Sequence, residues 1–315
     1  MKNKKIVIAG GTGFLGRSLT ELWGTDNQIV ILSRTAPATD VNATWVPWDG
    51  KTVGNWAAEL EHTDVLVNLS GRSVNCRYTP ANQQEIFDSR SFSTKALGQA
   101  VQQLQHPPKL WVNAASATIY RHAEDRPMDE FTGEIADDFS VRVCKLWEKT
   151  FNDITLPHTR KVILRIAVSL GWQQGGVMQP YCNLMKWGLG GHQGSGKQRY
   201  SWVHVADVAG MIDWLAGQPT LDGVFICAAP NPVTNTVFMR TLRQQAGHVV
   251  GLPAPAWLLE VGAALIGTET ELLLKSRWVL PTRALQHGYQ FNYPQLDTAI
   301  ADILDRMPRK AWHLF

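Results

Sequence analysis

A chain of 315 residues, 44% hydrophobic and 18% charged, can fill one large or two modest domains and is no disordered or low-complexity polymer. Its formal net charge of +3, spread evenly, gives neither nucleic acid nor a membrane surface a basic patch, and neither partner is expected. Four cysteines without a CxxC pair, and six histidines (His62, His106, His122, His158, His248, His287) far from any other ligand type at metal spacing, argue against a disulfide framework and against a structural zinc, and no metal is expected. The start runs from Met-Lys-Asn-Lys-Lys straight into a strand with no secretory pattern. The longest apolar run, around Ala254 to Ile266, contains Glu260 and is too short to span a bilayer. A cytoplasmic protein with reduced thiols is expected.

Along the chain, residues 5–9 are predicted as the first strand, 14–23 as the first helix and 28–32 as the second strand. Between the first two lies IVIAGGTGFLGRSL (6–19), in which Gly11, Gly13 and Gly16 form G-x-G-x-x-G. Gly10 adds a G-x-x-G-x-x-G reading of the same loop, which Thr12, Phe14 and Leu15 complete. A glycine turn between strand and helix brings backbone N–H groups close to a pyrophosphate and aims a helix N-terminus at it. The second strand runs into Ser33 and Arg34. An NAD enzyme usually places Asp or Glu here for the ribose 2′-OH, whereas Arg accommodates a 2′-phosphate, so NADP(H) is expected over NAD(H). Ser33 is read as a further donor.

A third strand is predicted near 44–47, and DVLVNLS (64–70) is a fourth, continuous and buried. A long helix covers about 80–104, with Thr79 as its cap and Pro80 in its first position. Then follow a fifth strand (110–115), a helix over about 138–152 and a sixth strand (161–166). After Gly171 glycines crowd into GLGGHQGSGKQ (188–198), read as a lid whose Lys197, Gln198 and neighbouring Arg199 either touch substrate or are solvated charges. A short strand (201–204), a helix (205–215) and a last strand (224–227) come next, and signals from Pro253 onward are mostly helical.

Alternating strands and helices predict an α/β fold, a Rossmann doubly wound parallel sheet with a smaller, mostly helical C-terminal substrate lobe. The NADP-binding domain is placed at 1–171 plus about 201–228, and the lobe at about 172–200 and 229–315.

The chain resembles the extended short-chain dehydrogenase/reductase superfamily. More narrowly it resembles an atypical subgroup, the NAD-dependent epimerase/dehydratases or nucleoside-diphosphate-sugar epimerases, with a C-terminal domain of unknown function. The carriers are GGTGFLG (10–16), LSR (32–34), NLSGRSV (68–74), the SR pair at 89–90, ASATIY (115–120), CKLWE (144–148), LRIAVSLG (164–171), GLGGHQGSGKQRYSWVHVADV (188–208), LPAPAWLL (252–259) and VLPTRALQHGYQF (279–291). Together they span nearly the whole chain. The resemblance implies that Asn68, Leu69 and Ser70 line the cofactor, that Glu85 and Arg90 face it from the long helix, and that Val168 belongs with the cofactor-binding positions. It implies a small polar, sugar-linked substrate and leaves a homodimer open.

Ordinary members of the superfamily use Ser, Tyr and Lys, with the Tyr moving a proton as hydride moves. Here Ser116 holds the Ser position and Lys145 the Lys position, but four residues before Lys145 stands Val141. Valine transfers no proton. Three readings stay open: another group substitutes, Tyr120 first and His204 behind it; the reaction needs no Tyr; or there is no turnover and the chain is a silent NADP(H)-binding sensor or regulatory module. His204 lies at a strand–helix junction, where Asp207 is expected to cap or orient.

Overall fold

The computed structural model describes residues 1–38, 42–255, 257, 259–260 and 274–313. The first half runs β1 (Lys5–Ala9), α1 (Phe14–Trp23), β2 (Gln28–Ser33), β3 (Thr44–Pro47), a 3-10 turn (Asn55–Leu60), β4 (Val65–Asn68), α2 (Pro80–Gln102), β5 (Leu110–Ser116), α3 (Phe139–Asn152) and β6 (Arg160–Ile166). The second half runs β7 (Val168–Leu170), α4 (Met178–Lys186), β8 (Arg199–Tyr200), β9 (Trp202–His204), α5 (Val205–Ala216), β10 (Gly223–Cys227), β11 (Val233–Thr234), α6 (Asn235–Gln245), α7 (Thr282–Gln286) and α8 (Leu296–Arg306).

Seven strands form one sheet in the order β10-β6-β5-β4-β1-β2-β3, every pairing parallel. The reason is visible in KIVIA, QIVILS and VLVN, which are apolar on both faces and are stable only when covered on both. Their side chains divide by alternation. Ile6, Ile8, Ile29, Ile31, Val65 and Val67 enter one core with α1 and α5. Val7, Ala9, Val30, Leu32 and Leu66 enter another beneath α2 and its neighbour α3. Each fully buried aliphatic side chain contributes about 1.5–3 kcal/mol.

Thr79 caps α2 as expected, accepting a bond from Asn82 N at 3.3 Å, and Asp138 caps α3 through Val141 N at 3.1 Å. A further core gathers Tyr181, Met185, Trp202, Phe238, Leu242, Ile300 and Ile303. It rests on α4 and α6, which the sequence reading did not predict: α4 (MQPYCNLMK) carries Pro180 in its first turn, and α6 (NTVFMRTLRQQ) is largely polar. Much of the apolar run 254–266 lies outside the described residues. No described helix is long and apolar enough to cross a membrane. All four thiols are free, with Cys144, Cys182 and Cys227 buried and Cys76 partly so. Burial pushes the Cys144 and Cys182 thiols up to about 12.

Candidate functional site

Chain order in the sheet reverses between β1 and β4, and ligands of open α/β sheets bind in the crevice outside the strands' carboxyl ends at such a point. The loop after β1 is built for close approach. Gly10 has φ +77°, and a Cβ there would meet the Leu69 and Ser70 backbone at 3.0 Å. It is Gly10, rather than Gly11, that takes the left-handed turn, so Gly10-x-x-Gly13-x-x-Gly16 describes the structure better than the triplet starting at Gly11. A Cβ on Gly16 would lie 2.4 Å from Gly11 O, so only glycine lets α1 start this close to the strand. Gly13 is the N-cap of α1 and offers no side-chain cap, which leaves the first N–H groups of the helix to an anion. Thr12 O accepts from Arg17 Nη1 at 2.9 Å, Leu15 packs on the core, and Phe14 lies against Gly176 of the overhanging 172–177 loop.

At the end of β2, Ser33 does not have the spare donor expected of it. Its hydroxyl donates to Thr35 O at 2.7 Å and accepts from Trp45 Nε1 at 3.1 Å. Arg34 beside it is exposed and makes no ion pair among the described residues. After β4, Asn68 is fully buried and engaged: it donates to Asn113 Oδ1 (2.7 Å) and Thr94 Oγ1 (3.1 Å) and accepts from Ser70 N (3.0 Å). Asn68 therefore shapes the loop from beneath. Leu69 is half-buried. Ser70 Oγ is buried without a partner among the described residues, beside the Gly10 turn. An orphaned buried hydroxyl is costly unless a ligand satisfies it. This hydroxyl, the glycine cradle and the uncapped helix start together fit a dinucleotide.

On α2 the two family positions separate. Glu85 is exposed and ion-paired with Arg72. Arg90 turns inward, donates to Arg72 O and Ile86 O at 3.1 Å and stacks 5.0 Å over the Trp147 ring. Burial lowers the Arg90 pKa, and among the described residues no carboxylate pairs with it.

Ser116 ends β5 and accepts from Thr118 N at 3.2 Å, which leaves its proton for a ligand. Tyr120 is 2% exposed. Its oxygen accepts from Arg165 Nη1 at 2.7 Å, and Arg165 forms a two-pronged pair with Glu148 at 2.8 Å on each arm. Burial pushes the Tyr120 phenol up to about 12, so it holds its proton at neutral pH. Lys145 lies on the outer side of α3, bound to Asp137 at 2.9 Å, whereas Val141 is wholly buried beside Tyr120 and Cys144. Ser116, Tyr120 and Lys145 are thus spread over a strand end, a core and a surface. Glu148 and Arg165 escaped the sequence reading, although Arg165, a charge within the buried apolar part of RKVILRI, was the available signal. Val168 opens β7, half-buried, paired with Trp202.

The glycine-rich loop is pinned rather than free to act as a lid. Gln193 N donates to Asn235 Oδ1 at 2.7 Å, Gln198 Nε2 to Gln193 O at 2.9 Å, and Gly191 N to Leu252 O at 3.0 Å. Arg199 stacks 4.3 Å over Trp278. His204, not Asp207, caps α5: Nδ1 accepts from Ala206 N at 3.1 Å, and Nε2 lies 3.2 Å from Asp302 Oδ2. Burial pushes this imidazole down to about 4. Asp207 accepts from Asn292 N and Tyr293 N at 2.6 and 2.9 Å, tying 289–293 to α5. A further cluster lies at the amino ends of β4 and β5. His62 and His106, distant in sequence from each other, meet there with Glu61.

Residues 254–303 match a family described as a domain of unknown function (DUF1731). The chain is 32% identical over 304 residues to the epimerase family protein YfhF of Bacillus subtilis (strain 168), covering 95% of this chain and 97% of that protein. It is similar to the crystal structure of human epimerase family protein SDR39U1 (isoform 2) with NADPH, at 29% identity and TM-score 0.84, covering 96% and 100% of the two chains. A likeness to UDP-N-acetylglucosamine 4-epimerase from Methanobrevibacter ruminantium M1 in complex with UDP-N-acetylmuramic acid, with TM-score 0.72 and 15% identity over 97% and 98% of the chains, shows the fold alone.

Proposed function

The chain belongs to the epimerase family of extended short-chain dehydrogenases/reductases, and on that premise we propose that it binds NADP(H) along the carboxyl edge of its sheet and serves redox chemistry on a small polar, sugar-linked substrate. The observation that carries the reading is the cradle at the β1/β4 crossing, where the Gly10 turn lies against Ser70 and the Ser70 hydroxyl lacks a partner among the described residues. In this reading the pyrophosphate rests on the start of α1, with Gly11 and Thr12 beside it, and Arg34 holds the 2′-phosphate. The human relative with NADPH supports the choice of cofactor.

When bound, the nicotinamide supplies or accepts hydride. Ser116 orients the substrate oxygen with its unspent proton, and Arg90 stands beside Gly71 as a cation for an anionic or polar group. Water handles the proton, since Tyr120 lies in a core with its oxygen held by Arg165. One observation favours a second reading, an NADP(H)-binding sensor without turnover. Tyr120 is held in a core and Lys145 is bound to a surface carboxylate, so neither is free for the superfamily's ordinary proton relay.

Titrating the protein with NADPH and NADH, followed by nicotinamide and Trp fluorescence, tests the cofactor assignment. NADPH is expected to bind tightly and NADH weakly. Arg34→Ala is expected to weaken NADPH by about 10–100-fold, the scale of one charge-assisted contact, with NADH unchanged. Equal losses for both would contradict the 2′-phosphate role. With cofactor bound, NADPH oxidation across carbonyl and sugar-nucleotide panels, wild type against Ser116→Ala, separates enzyme from sensor.

A further inference from the structure

At the amino ends of the strands, opposite the cofactor crevice, Glu61, His62 and His106 bring one ligand atom each within 4.8 Å of one another. We propose that these three side chains form a divalent transition-metal site, suited to Zn²⁺, that staples the turn before β4 to the connection between α2 and β5. Two imidazoles and a carboxylate are the donor set of a borderline ion of the zinc class rather than of Mg²⁺ or Ca²⁺, which take oxygen ligands.

Three features of the backbone and burial prepare the site. The two segments clasp each other: His62 N donates to His106 O at 2.9 Å, and His106 N donates to Glu61 Oε1 at 2.9 Å. The other carboxylate oxygen, Glu61 Oε2, is buried without a hydrogen-bond partner among the described residues. A charged oxygen in that position calls for a cation. Finally, His62 has φ +57°, a left-handed conformation uncommon for any residue with a side chain and associated with functional sites.

The imidazoles are exposed and stacked, with centroids 4.3 Å apart and planes at 23°. A tetrahedral ion with bonds of about 2.0–2.1 Å needs donors about 3.3 Å apart, so the rings must tilt out of their stack, which exposed side chains can do. His158 lines the same hollow as His62 and His106 and offers a fourth donor, with water as the alternative. Lys109 also faces this hollow, and its charge is countered by Asp64 at 2.8 Å.

The test is a Zn²⁺ titration of the chelator-treated full chain, in competition with a chromophoric chelator, with Co²⁺ absorption as a report on geometry. Cys76→Ser serves as the background, to remove the accessible thiol. One Zn²⁺ per chain is expected, with tetrahedral Co²⁺ bands and a raised Tm. His62→Ala and His106→Ala are each expected to weaken Zn²⁺ by at least about 10-fold, the scale on which even outer-shell losses act, and to abolish the Tm rise while leaving the apo Tm and NADPH binding unchanged. Absence of Zn²⁺ binding, or binding by both alanine variants as tight as by the Cys76→Ser background (an adventitious ion only), overturns the proposal.

Discussion

Two neighbouring regions along the sheet's carboxyl edge handle polarity in opposite ways. Around β1 and β4 polar groups are left open: the first N–H groups of α1, the Ser70 hydroxyl and the Arg34 guanidinium have no partner among the described residues. Around β5, β6 and α5 buried polar groups meet protein partners, as Tyr120, Arg165 and Glu148 do, and as Nδ1 of His204 does with Ala206 N. Unsatisfied groups cost stability and mark a surface finished by a ligand, whereas satisfied buried networks hold a shape. The first region is therefore expected to fail in binding when altered, and the second in folding.

The sharpest way to break that division is Arg165→Met. It leaves Glu148 charged in a core with no counter-ion, and removal of one partner of a buried pair costs about 3–5 kcal/mol. Urea unfolding should show that loss, and Glu148→Gln added to Arg165→Met should recover much of it. A loss under about 1 kcal/mol would mean that water already reaches the pair.

Acid attacks the second region next. The folded His204 imidazole, pushed down to about 4, resists a proton that the unfolded chain takes up near ~6.5. Between those values the unfolded state binds more protons, so this contribution is whole above pH ~6.5 and shrinks toward pH ~4, by up to about 3 kcal/mol. His204→Asn keeps a capping side chain and should flatten the slope, read as the difference in urea midpoint between wild type and variant at pH 7.5, 6 and 5.

The smallest effect belongs to the open region. Ser70→Ala removes a hydroxyl that has no protein partner, so Tm should hold or rise slightly. NADPH binding should weaken by about 5–10-fold, the scale of one neutral hydrogen bond. Loss of Tm with unchanged binding would place Ser70 among the closed groups.

Local patterns in the sequence were sufficient for the seven strands of the main sheet, because short apolar runs between turns have few other fates, and for the α2 cap, because Thr79 acts on an N–H group three residues away. The glycine loop was legible for the same reason. What escaped depends on contacts between distant segments. Glu148 reads as an ordinary helix residue until β6 places Arg165 against it, and Ser33 reads as a free donor until β3 delivers Trp45 to it. The glycine-rich 188–198 loop suggested motion because composition does not reveal that Asn235 and Leu252 fasten it. His62 and His106 are separated by the whole of β4 and α2, and only the parallel sheet returns them to one edge.

The thiols carry a practical consequence. Three of the four are buried, and burial pushes two of those up to about 12, so alkylating reagents meet a single target in the folded chain. That target, Cys76, lies on the segment leaving the carboxyl end of β4, just after Arg72. A maleimide dye attached there needs no engineered residue and stands where its emission can register arrival and departure at the crevice.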